Sequence, residues 1–309
     1  MQDTSLKGKK ILITGITGFV GSHLSRRLAR LGAKVYGIAK NGNGKRVLEG
    51  DILDKAVLDE YIKRSKIDIC FHLAGESVVE AGQKDPYNTF RVNIQGTLNV
   101  LEDARKHALE RIIIASTSHV YGNNRLPYYE GYTPRPTRPY ETSKTCTDLI
   151  AQSYAESFGL PVLIPRFVNI YGPGDLHFER LIPKTIKAVL SGTSPVMWGG
   201  AAVRDYLYID DAVDAYIELA YLDMNKVGSN QIFNFGSGNK ISVKDLIQKI
   251  IKISGKKLTI KKIREERSEE ILTQYVSFNK AQKILGWKAR TTLEDGLKNT
   301  LAWYSNYFR

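Results

Sequence analysis

The chain has 309 residues, of which 42% are hydrophobic and 25% charged, and its formal net charge is +13. These values are ordinary for a globular protein and allow one large α/β domain, or a large domain with a smaller cap. No apolar run reaches the roughly 18 residues of a membrane helix, and residues 1–7 lack the apolar core of a signal peptide. The two cysteines, Cys70 and Cys146, have no metal-ligand or disulfide-framework spacing, so we expect a cytoplasmic protein without a bound metal or a membrane partner.

The positive charge has three interpretations. Basic residues bind nucleic acid, attract anionic small molecules such as nucleotide diphosphates, or cover a solvated surface. Apart from a lysine-rich stretch at residues 256–262, the basic residues are dispersed, and the arginine–aromatic interleaving of an RNA-binding surface is missing from the sequence. We therefore expect a lysine-rich solvated surface and no nucleic-acid partner.

The first strand, turn and helix have the pattern of a dinucleotide site. A β-branched run over residues 10–14 predicts a buried strand, and Gly15, Gly18 and Gly21 follow it with the spacing G-x-x-G-x-x-G before a helix. Small residues in such a turn let the backbone approach a pyrophosphate at the helix N-terminus. The cofactor contacts expected there are Gly15, Thr17, Gly18, Phe19, Val20 and Gly21.

The second strand, over residues 33–38, bears on the choice of cofactor. It ends in Ala39-Lys40-Asn41 and offers no Asp or Glu for the ribose 2′-hydroxyl of NAD. Lys40, with Lys45 and Arg46 behind it, is placed to meet a 2′-phosphate, although the same residues suit a solvated loop. We expect NAD or NADP, with a lean towards NADP.

Two further strands add cofactor contacts. A third strand, over residues 47–52, brings Asp51 and Ile52 towards the adenine, and a fourth, over residues 67–75, ends in small residues that leave room for the cofactor. The contacts expected from the fourth strand are Leu73, Ala74 and Gly75.

The remaining pattern predicts an α/β fold. A long helix over about residues 85–107, a strand over 111–116, a helix over about 140–158 and a strand over 160–165 continue the alternation. Such alternation predicts a doubly wound parallel (Rossmann) sheet, here over residues 1–168. From residue 169 the pattern loosens, and we expect a smaller substrate-binding lobe over 169–309 with some segments interleaved back into the first domain.

Tyr140 and Lys144 lie four residues apart in one predicted helix and so share a face. An ammonium that close favours the phenolate and lowers the pKa of a tyrosine from about 10. That pair would suit the removal of a hydroxyl proton near neutral pH. Most such pairs are solvated helix faces, so the motifs around this one decide its meaning.

Six motifs occur in order along nearly the whole chain: Thr14-Gly15-x-x-Gly18-Phe19-x-Gly21, Asn93-Ile94-x-Gly96-Thr97, Ser116-Thr117-x-x-Val120-Tyr121-Gly122, Tyr140-x-x-x-Lys144, Arg166-x-x-Asn169-x-Tyr171-Gly172-Pro173-Gly174 and Arg204-Asp205-Tyr206. Together they resemble the extended short-chain dehydrogenase/reductase family of nucleotide-sugar epimerases and dehydratases. Within it, the chain is most similar to the GDP-mannose and CDP-glucose 4,6-dehydratases.

The resemblance implies roles for individual residues. Tyr140 would take the proton from the sugar 4-hydroxyl, Lys144 would lower the pKa of Tyr140 and bind the nicotinamide ribose, and Thr117 would bond the same hydroxyl. Hydride would pass from C4 to the nicotinamide, giving a 4-keto sugar with an acidified C5–H. Arg166 is implied as a further cofactor contact. The implied contacts of the sugar diphosphate are Asn169, Leu181, Arg204 and Arg267, although Asn169 also suits a turn and Arg204 a surface ion pair.

Ser118 and His119, which follow Thr117, decide the reaction class. In dehydratases resembling this chain, an acid or hydrogen-bonding residue and then a base, often Glu or Lys, hold these positions and remove water across C5 and C6. Ser118 matches the Thr-Ser-Glu pattern of mannose-nucleotide dehydratases, and His119 replaces the glutamate. A histidine has an unperturbed pKa near 6.5, which suits a base at neutral pH.

The resemblance predicts a nucleotide-sugar 4,6-dehydratase, since residues 174–183 are also more similar to dehydratases than to epimerases. If His119 only packs, the enzyme would instead be a 4-epimerase or an NADPH-dependent 4-ketoreductase. A non-catalytic dinucleotide sensor would not need Thr117, Tyr140 and Lys144 together. The family also implies a homodimer through the helices at about 85–107 and 140–158.

Overall fold

The computed structural model describes residues 5–42, 44–198, 200–228, 231–263 and 271–309. Its main sheet is parallel and contains β1 (Lys10–Thr14), β2 (Lys34–Ala39), β3 (Val47–Glu49), β4 (Ile69–His72), β5 (Arg111–Ile114), β6 (Ser116–Thr117), β7 (Val162–Phe167) and β11 (Ile232–Phe235). The strand order is β3-β2-β1-β4-β5-β7-β11, with β6 also paired to β7. The order reverses between β1 and β4, the switch point at which open α/β sheets bind ligands.

Helices cover both faces of this sheet. They are α1 (Phe19–Arg30), α2 (Lys55–Ser65), α3 (Val79–Lys84), α4 (Pro86–Phe90), α5 (Gly96–Lys106), α6 (Pro139–Phe158) and α8 (Ile209–Tyr221). Each face of the sheet has its own hydrophobic core, and alternate strand residues belong to the two cores. Ile11 and Ile13 pack with α1 and α8, whereas Leu12 packs with α2, α5 and α6. Strands buried on both faces read as continuous apolar runs, which is why β5 is Arg111 followed by three isoleucines. The predicted doubly wound parallel sheet is therefore confirmed.

The remaining strands form smaller sheets beside the carboxyl edge of the main one. β8 (Asn169–Tyr171), β10 (Val203–Tyr208), β12 (Lys240–Ser242) and β14 (Thr273–Gln274) make one sheet, and β9 (Val196–Trp198) pairs in parallel with β13 (Lys261–Ile263). The helices of this region are α7 (Leu181–Leu190), α9 (Val243–Ser254), α10 (Asn279–Leu285) and α11 (Leu293–Tyr307). Among the described residues, no helix is long and apolar enough to cross a membrane.

Two segments from the second half of the chain pack with the main sheet and its helices. β11 pairs with β7 in the main sheet, and α8 packs against α1, although both lie beyond residue 168. The domain boundary itself stays a prediction.

The long helix expected over 85–107 begins at Pro86 behind an Asp85 cap, but a π-helical turn over Arg91–Gln95 separates α4 from α5.

Candidate active site

A cavity of about 420 Å³ lies at the carboxyl edge of the main sheet, against the smaller sheets. It brings together residues that are far apart in sequence. The predicted site residues that line it are Phe19, Val20, Leu73, Gly75, Thr117, His119, Tyr140, Lys144, Asn169, Leu181 and Arg204. Arg267 lies outside the described residues.

The glycine turn between β1 and α1 leaves no space for larger side chains. Gly15 has a φ of +72°, and a Cβ on it would lie 2.9 Å from the backbone nitrogen of Ala74. A Cβ on Gly21 would lie 2.3 Å from the carbonyl oxygen of Gly15. The first turn of α1 has no acidic residue and no side-chain cap. A tight turn with uncapped backbone N–H groups fits the pyrophosphate of a dinucleotide.

The residues that follow the paired strands β2 and β3 were expected at a ribose 2′-phosphate, for Lys40, and near the adenine, for Asp51 and Ile52. The Lys40 ammonium is 3.5 Å from the Asp51 carboxylate, which also accepts a hydrogen bond from the backbone N–H of Leu53. Ile52 is buried and packs towards Gly96, where a Cβ would lie 2.4 Å from the Ile52 Cδ1. The charge of Lys40 is thus shared with a carboxylate.

Tyr140 lies in the first turn of α6, where its side chain is 9% exposed. Burial raises the pKa of Tyr140, while the charge of Arg180 and a hydrogen bond with Thr117 act in the opposite direction. The spacing from Lys144 predicted a lowered pKa, and the structure shows a raised one because desolvation outweighs the neighbours. Desolvation also lowers the pKa of Lys144 to about 8, partly opposed by Asp148.

The two residues after Thr117 have different surroundings. Ser118 begins a 3-10 turn, Ser118–Tyr121; it is 3% exposed and does not line the cavity. His119 lines the cavity, and its ring meets that of Tyr140 edge-on, with centroids 6.2 Å apart. The backbone N–H of His119 donates to the Thr117 hydroxyl at 3.2 Å. Of the two, His119 is therefore the residue whose chemistry can reach a bound molecule.

Arg166 has a different environment from the one expected of a cofactor contact. It is 1% exposed, donates from Nε and Nη2 to the two Asp148 oxygens at 2.8 Å, and lies 4.8 Å above the Tyr121 ring. Ser116 donates to the same carboxylate. Arg166 does not line the cavity, so its guanidinium holds β7, β6 and α6 together behind it.

The contacts predicted for a sugar diphosphate form a wall of the cavity on β8, α7 and β10. The Asn169 amide is 3.5 Å from the carbonyl oxygen of Asp205, and Arg204 donates to the carbonyl oxygen of Val203 at 2.9 Å. Both side chains line the cavity together with Leu181. Asp205 is not part of that wall: it is fully buried and accepts from Ser237 and Gly238.

Asn93, in the π-helical turn, was recognised as part of a motif but not as a site residue. Its amide donates to the Ser143 hydroxyl at 2.8 Å, and its oxygen accepts from the backbone N–H of Glu76 at 2.8 Å. These bonds tie the loop after β4 to the helix that carries Tyr140. The only sequence signal was the motif itself, because a π turn has no distinctive local pattern.

Arg180 was missed altogether. It lines the cavity, and its guanidinium donates to Asp175 at 3.1 Å. It also donates to the hydroxyl of Ser77, which is distant in sequence, at 3.0 Å. It is also the cation that acts on Tyr140. A signal was available, since Arg180 immediately precedes α7 and a cation at a helix N-terminus opposes the helix dipole. The position of Arg180 at the cavity explains this otherwise unfavourable placement.

The chain is similar to known proteins along almost its whole length. The dTDP-D-glucose 4,6-dehydratase of Mus musculus is 29% identical, over 97% of this chain and 90% of the relative. The trifunctional UDP-glucose 4,6-dehydratase/UDP-4-keto-6-deoxy-D-glucose 3,5-epimerase/UDP-4-keto-L-rhamnose-reductase of Arabidopsis thaliana is 30% identical over 99% of this chain, which spans 48% of that relative.

Two solved structures share the whole fold. The UDP-glucose 4-epimerase of Thermotoga maritima, solved with UDP-glucose, has a TM-score of 0.90 and 28% identity, covering 97% of this chain and 100% of its own. DesIV of Streptomyces venezuelae, a dTDP-glucose 4,6-dehydratase solved with NAD, has a TM-score of 0.86 and 27% identity, covering 96% and 97%. The model of the NAD-dependent epimerase/dehydratase family matches residues 11–236. With its glycine turn, its Tyr140–Lys144 pair and its cavity at the switch point, this chain belongs to the NAD-dependent epimerase/dehydratase family.

Proposed function

We propose that this protein is a nucleotide-sugar 4,6-dehydratase. The observation that carries the proposal is the place of His119, a titratable side chain that lines the cavity beside Tyr140 and directly follows Thr117 and Ser118. An epimerase needs a base for the 4-hydroxyl alone, whereas water loss needs a second proton-transfer group beside it. Relatives named as 4,6-dehydratases match over almost the whole chain.

Three residues serve the oxidation at C4. Tyr140 takes the proton from the 4-hydroxyl, and Thr117 bonds the same oxygen, since both side chains line the cavity. Lys144 holds the nicotinamide ribose. A bound nicotinamide cofactor supplies the hydride acceptor at C4 and later returns that hydride. The product of this half-reaction is a 4-keto sugar, whose C5–H is acidified by the neighbouring carbonyl.

His119 serves the elimination. It takes the C5 proton and passes it to the C6 hydroxyl, so that the C5–H and C6–O bonds break, a C5=C6 double bond forms and one water leaves. Ser118 was expected to assist the leaving hydroxyl, but its side chain is buried away from the cavity, which leaves this proton also to His119. When C6 is reduced, C5 takes a proton from solvent through His119.

We propose NAD as the cofactor, in place of the NADP towards which the basic residues leaned. Two of those residues have other partners, because Lys40 lies against Asp51 and the Arg46 guanidinium lies 5.8 Å from the Tyr36 ring. The solved dehydratase and a Thermus thermophilus epimerase were crystallised with NAD. Chromatography of the nucleotide released from the denatured, purified protein would identify it, and release of NADP would contradict the proposal.

The substrate is a nucleotide-diphosphate sugar, held by Asn169, Leu181 and Arg204 and, on the family resemblance, by Arg267. A guanidinium beside a pyrophosphate makes forked, charge-assisted hydrogen bonds. A panel of UDP-, GDP-, CDP- and dTDP-sugars, with products analysed by mass spectrometry, tests the assignment. A product lighter by one water is expected with one nucleotide series, and a panel without any turnover contradicts the proposal.

A second candidate is favoured by the high structural similarity to a 4-epimerase. The same panel distinguishes it, since a 4-epimerase leaves the mass unchanged, and a 4-ketoreductase turns over only with added NADPH.

His119→Ala separates the oxidation at C4 from the loss of water. We expect this variant to reduce the cofactor in a single turnover but to lose water formation. Undiminished water formation would exclude His119 as the base.

On the family resemblance, we also propose that the protein forms a homodimer. α6 carries Leu149, 50% exposed, and Phe158, 55% exposed, and the neighbouring α4 carries Tyr87, 77% exposed. Apolar side chains on adjacent helices, open to solvent in the single chain, suit a helical interface with a second copy.

A further inference from the structure

We propose that Glu141 is a positioning residue: its buried carboxylate holds the His119 ring in the orientation and tautomer that proton transfer requires. The inference rests on the proposed function, in which His119 moves the C5 proton. It assigns a task to the residue directly after Tyr140, on the face of α6 that the Tyr140–Lys144 pair does not use.

Glu141 is a charged side chain with almost no contact with solvent, at 1% exposure. Its Oε2 accepts from the backbone N–H and the hydroxyl of Thr137, both at 3.2 Å, and from the backbone N–H of Arg138 at 3.3 Å. Its Oε1 has no part in these bonds and lies 3.5 Å from the His119 Nδ1 and 3.9 Å from the Arg138 Nε. One carboxylate oxygen thus closes the helix start, and the other is directed at the imidazole.

His119 presents its two ring nitrogens to different surroundings. Nδ1 is sealed from solvent and makes no hydrogen bond of ordinary geometry within the described part of the chain. The side chain as a whole is 21% exposed and lines the cavity. Because Nδ1 is buried against Glu141, Nε2 is the nitrogen that can meet a substrate.

A carboxylate beside Nδ1 selects the tautomer that a base needs. If Nδ1 carries the proton and donates a hydrogen bond to Glu141, Nε2 keeps a free lone pair for the C5 proton. The carboxylate then stabilises the imidazolium that forms, as the aspartate does in serine-protease triads. The other groups facing the ring are the Tyr140 phenol and, through Glu141, the Arg138 guanidinium.

Glu141 is ionised for this task. Burial raises its pKa, but the nearby His119 ring, a backbone hydrogen bond from Thr137 and the charge of Arg138 hold the pKa below its usual value. A carboxyl stays charged while buried only when hydrogen bonds and positive charges around it offset the cost of desolvation. Its Oε1 therefore offers His119 a full negative charge.

Glu141→Gln tests the assignment, since the amide oxygen can keep the bonds at the helix start while the charge beside Nδ1 is lost. We expect cofactor reduction in a single turnover to stay within about twofold of the parent. Water formation should fall about 10- to 100-fold, a part of the roughly 10²- to 10⁴-fold that a positioned acid–base group supplies. ¹⁵N NMR of His119 should change from the Nδ1–H form towards the Nε2–H form, because the amide nitrogen that then lies beside Nδ1 can only donate.

Thr137→Val is the matched control, because it removes a Glu141 hydrogen bond on the helix-start side and leaves the contact with His119. If Glu141 only closes the helix, the two variants will match in stability, in water formation and in the NMR spectrum of His119, and the inference is overturned. An unchanged tautomer in Glu141→Gln overturns it as well.

Failure of the proposed function has a different signature. If the parent enzyme forms no water, the dehydratase assignment fails, and the tautomer measurement still decides whether Glu141 orients His119. A change of tautomer in Glu141→Gln supports the positioning role, and its absence contradicts that role.

Discussion

Tyr140 is subject to two opposing effects, and Arg180 contributes to one of them. Burial raises the pKa of the phenol, and the guanidinium of Arg180 lowers it. In the proposed reaction, Tyr140 acts as a base in its ionised form, so the rate of C4 oxidation should rise with pH towards the pKa of Tyr140. Any change that raises this pKa further moves the rise to higher pH and slows the reaction at neutral pH.

Arg180→Met should therefore move the pH profile of cofactor reduction to higher pH. The rate at neutral pH should fall about tenfold for each pH unit by which the profile moves. Stopped-flow absorbance of the reduced cofactor, measured across pH, provides the test. Lys184→Met is the control, because Lys184 lines the same cavity but does not act on Tyr140, and its profile should keep its midpoint. An unmoved profile in Arg180→Met would show that Arg180 only binds substrate or orders the loop.

Tyr140→Phe removes the base itself. We expect single-turnover cofactor reduction to fall by about 10²- to 10⁴-fold, the usual contribution of a general base. Substrate affinity, measured by calorimetry, should change little, because the contacts proposed for the diphosphate come from other elements, β8, α7 and β10. A variant that still reduces its cofactor at the parental rate would remove Tyr140 from the mechanism.

At the scale of single residues, the sequence identifies groups that occur in ordered motifs. Thr117, Tyr140 and Lys144 were expected together, and the structure places all three at the cavity. Arg180 and Glu141 act through partners that local patterns do not reveal. Arg180 reaches Ser77 across 103 positions of the chain, and Glu141 reaches a histidine on another element.

Among the elements, α6 is connected most closely to the others around the site. It carries Tyr140 and Lys144 towards the cavity, accepts the Asn93 amide at Ser143 and pairs Asp148 with Arg166. A buried ion pair leaves an uncompensated charge when one partner is removed. The position of the helix against β7 therefore depends on both members of that pair.

Arg166→Met should lower the free energy of unfolding by about 3–5 kcal/mol, because the Asp148 carboxylate stays buried without its cation. Urea denaturation followed by circular dichroism measures the change. The double variant Arg166→Met with Asp148→Leu should recover much of the loss. A single variant as stable as the parent would show that water or Ser116 satisfies Asp148 alone.

The sequence predicts best the strands that form one continuous apolar run. β1 was expected at residues 10–14 and begins and ends there. β8 and β9 have three residues each, too few for any periodicity, and their pairing is set by β10 and β13. The π-helical turn in the helix before β5 follows from a change in backbone hydrogen bonding that side-chain spacing does not show.

For the whole molecule, the proposed homodimer can be tested by substituting two leucines whose exposed fractions are nearly equal. Leu149→Lys places a charge on α6, where the interface is proposed, and should shift sedimentation velocity profiles from dimer to monomer. Leu176 is 49% exposed against 50% for Leu149 but lies in the loop before α7, so Leu176→Lys should remain dimeric. A dimer that survives Leu149→Lys would place the interface elsewhere.

The position of β11 at the end of the main sheet affects how the protein is made. On the ribosome, β7 is synthesised, and can pair with β5, long before residues 232–235, and all six of its residues are buried in the finished sheet. Until then, β7 is an unprotected apolar edge of the kind that recruits other chains. A chain truncated after residue 168 keeps that edge permanently and should aggregate. A chain that extends through residue 236, where the family match also ends, carries the strand that covers it.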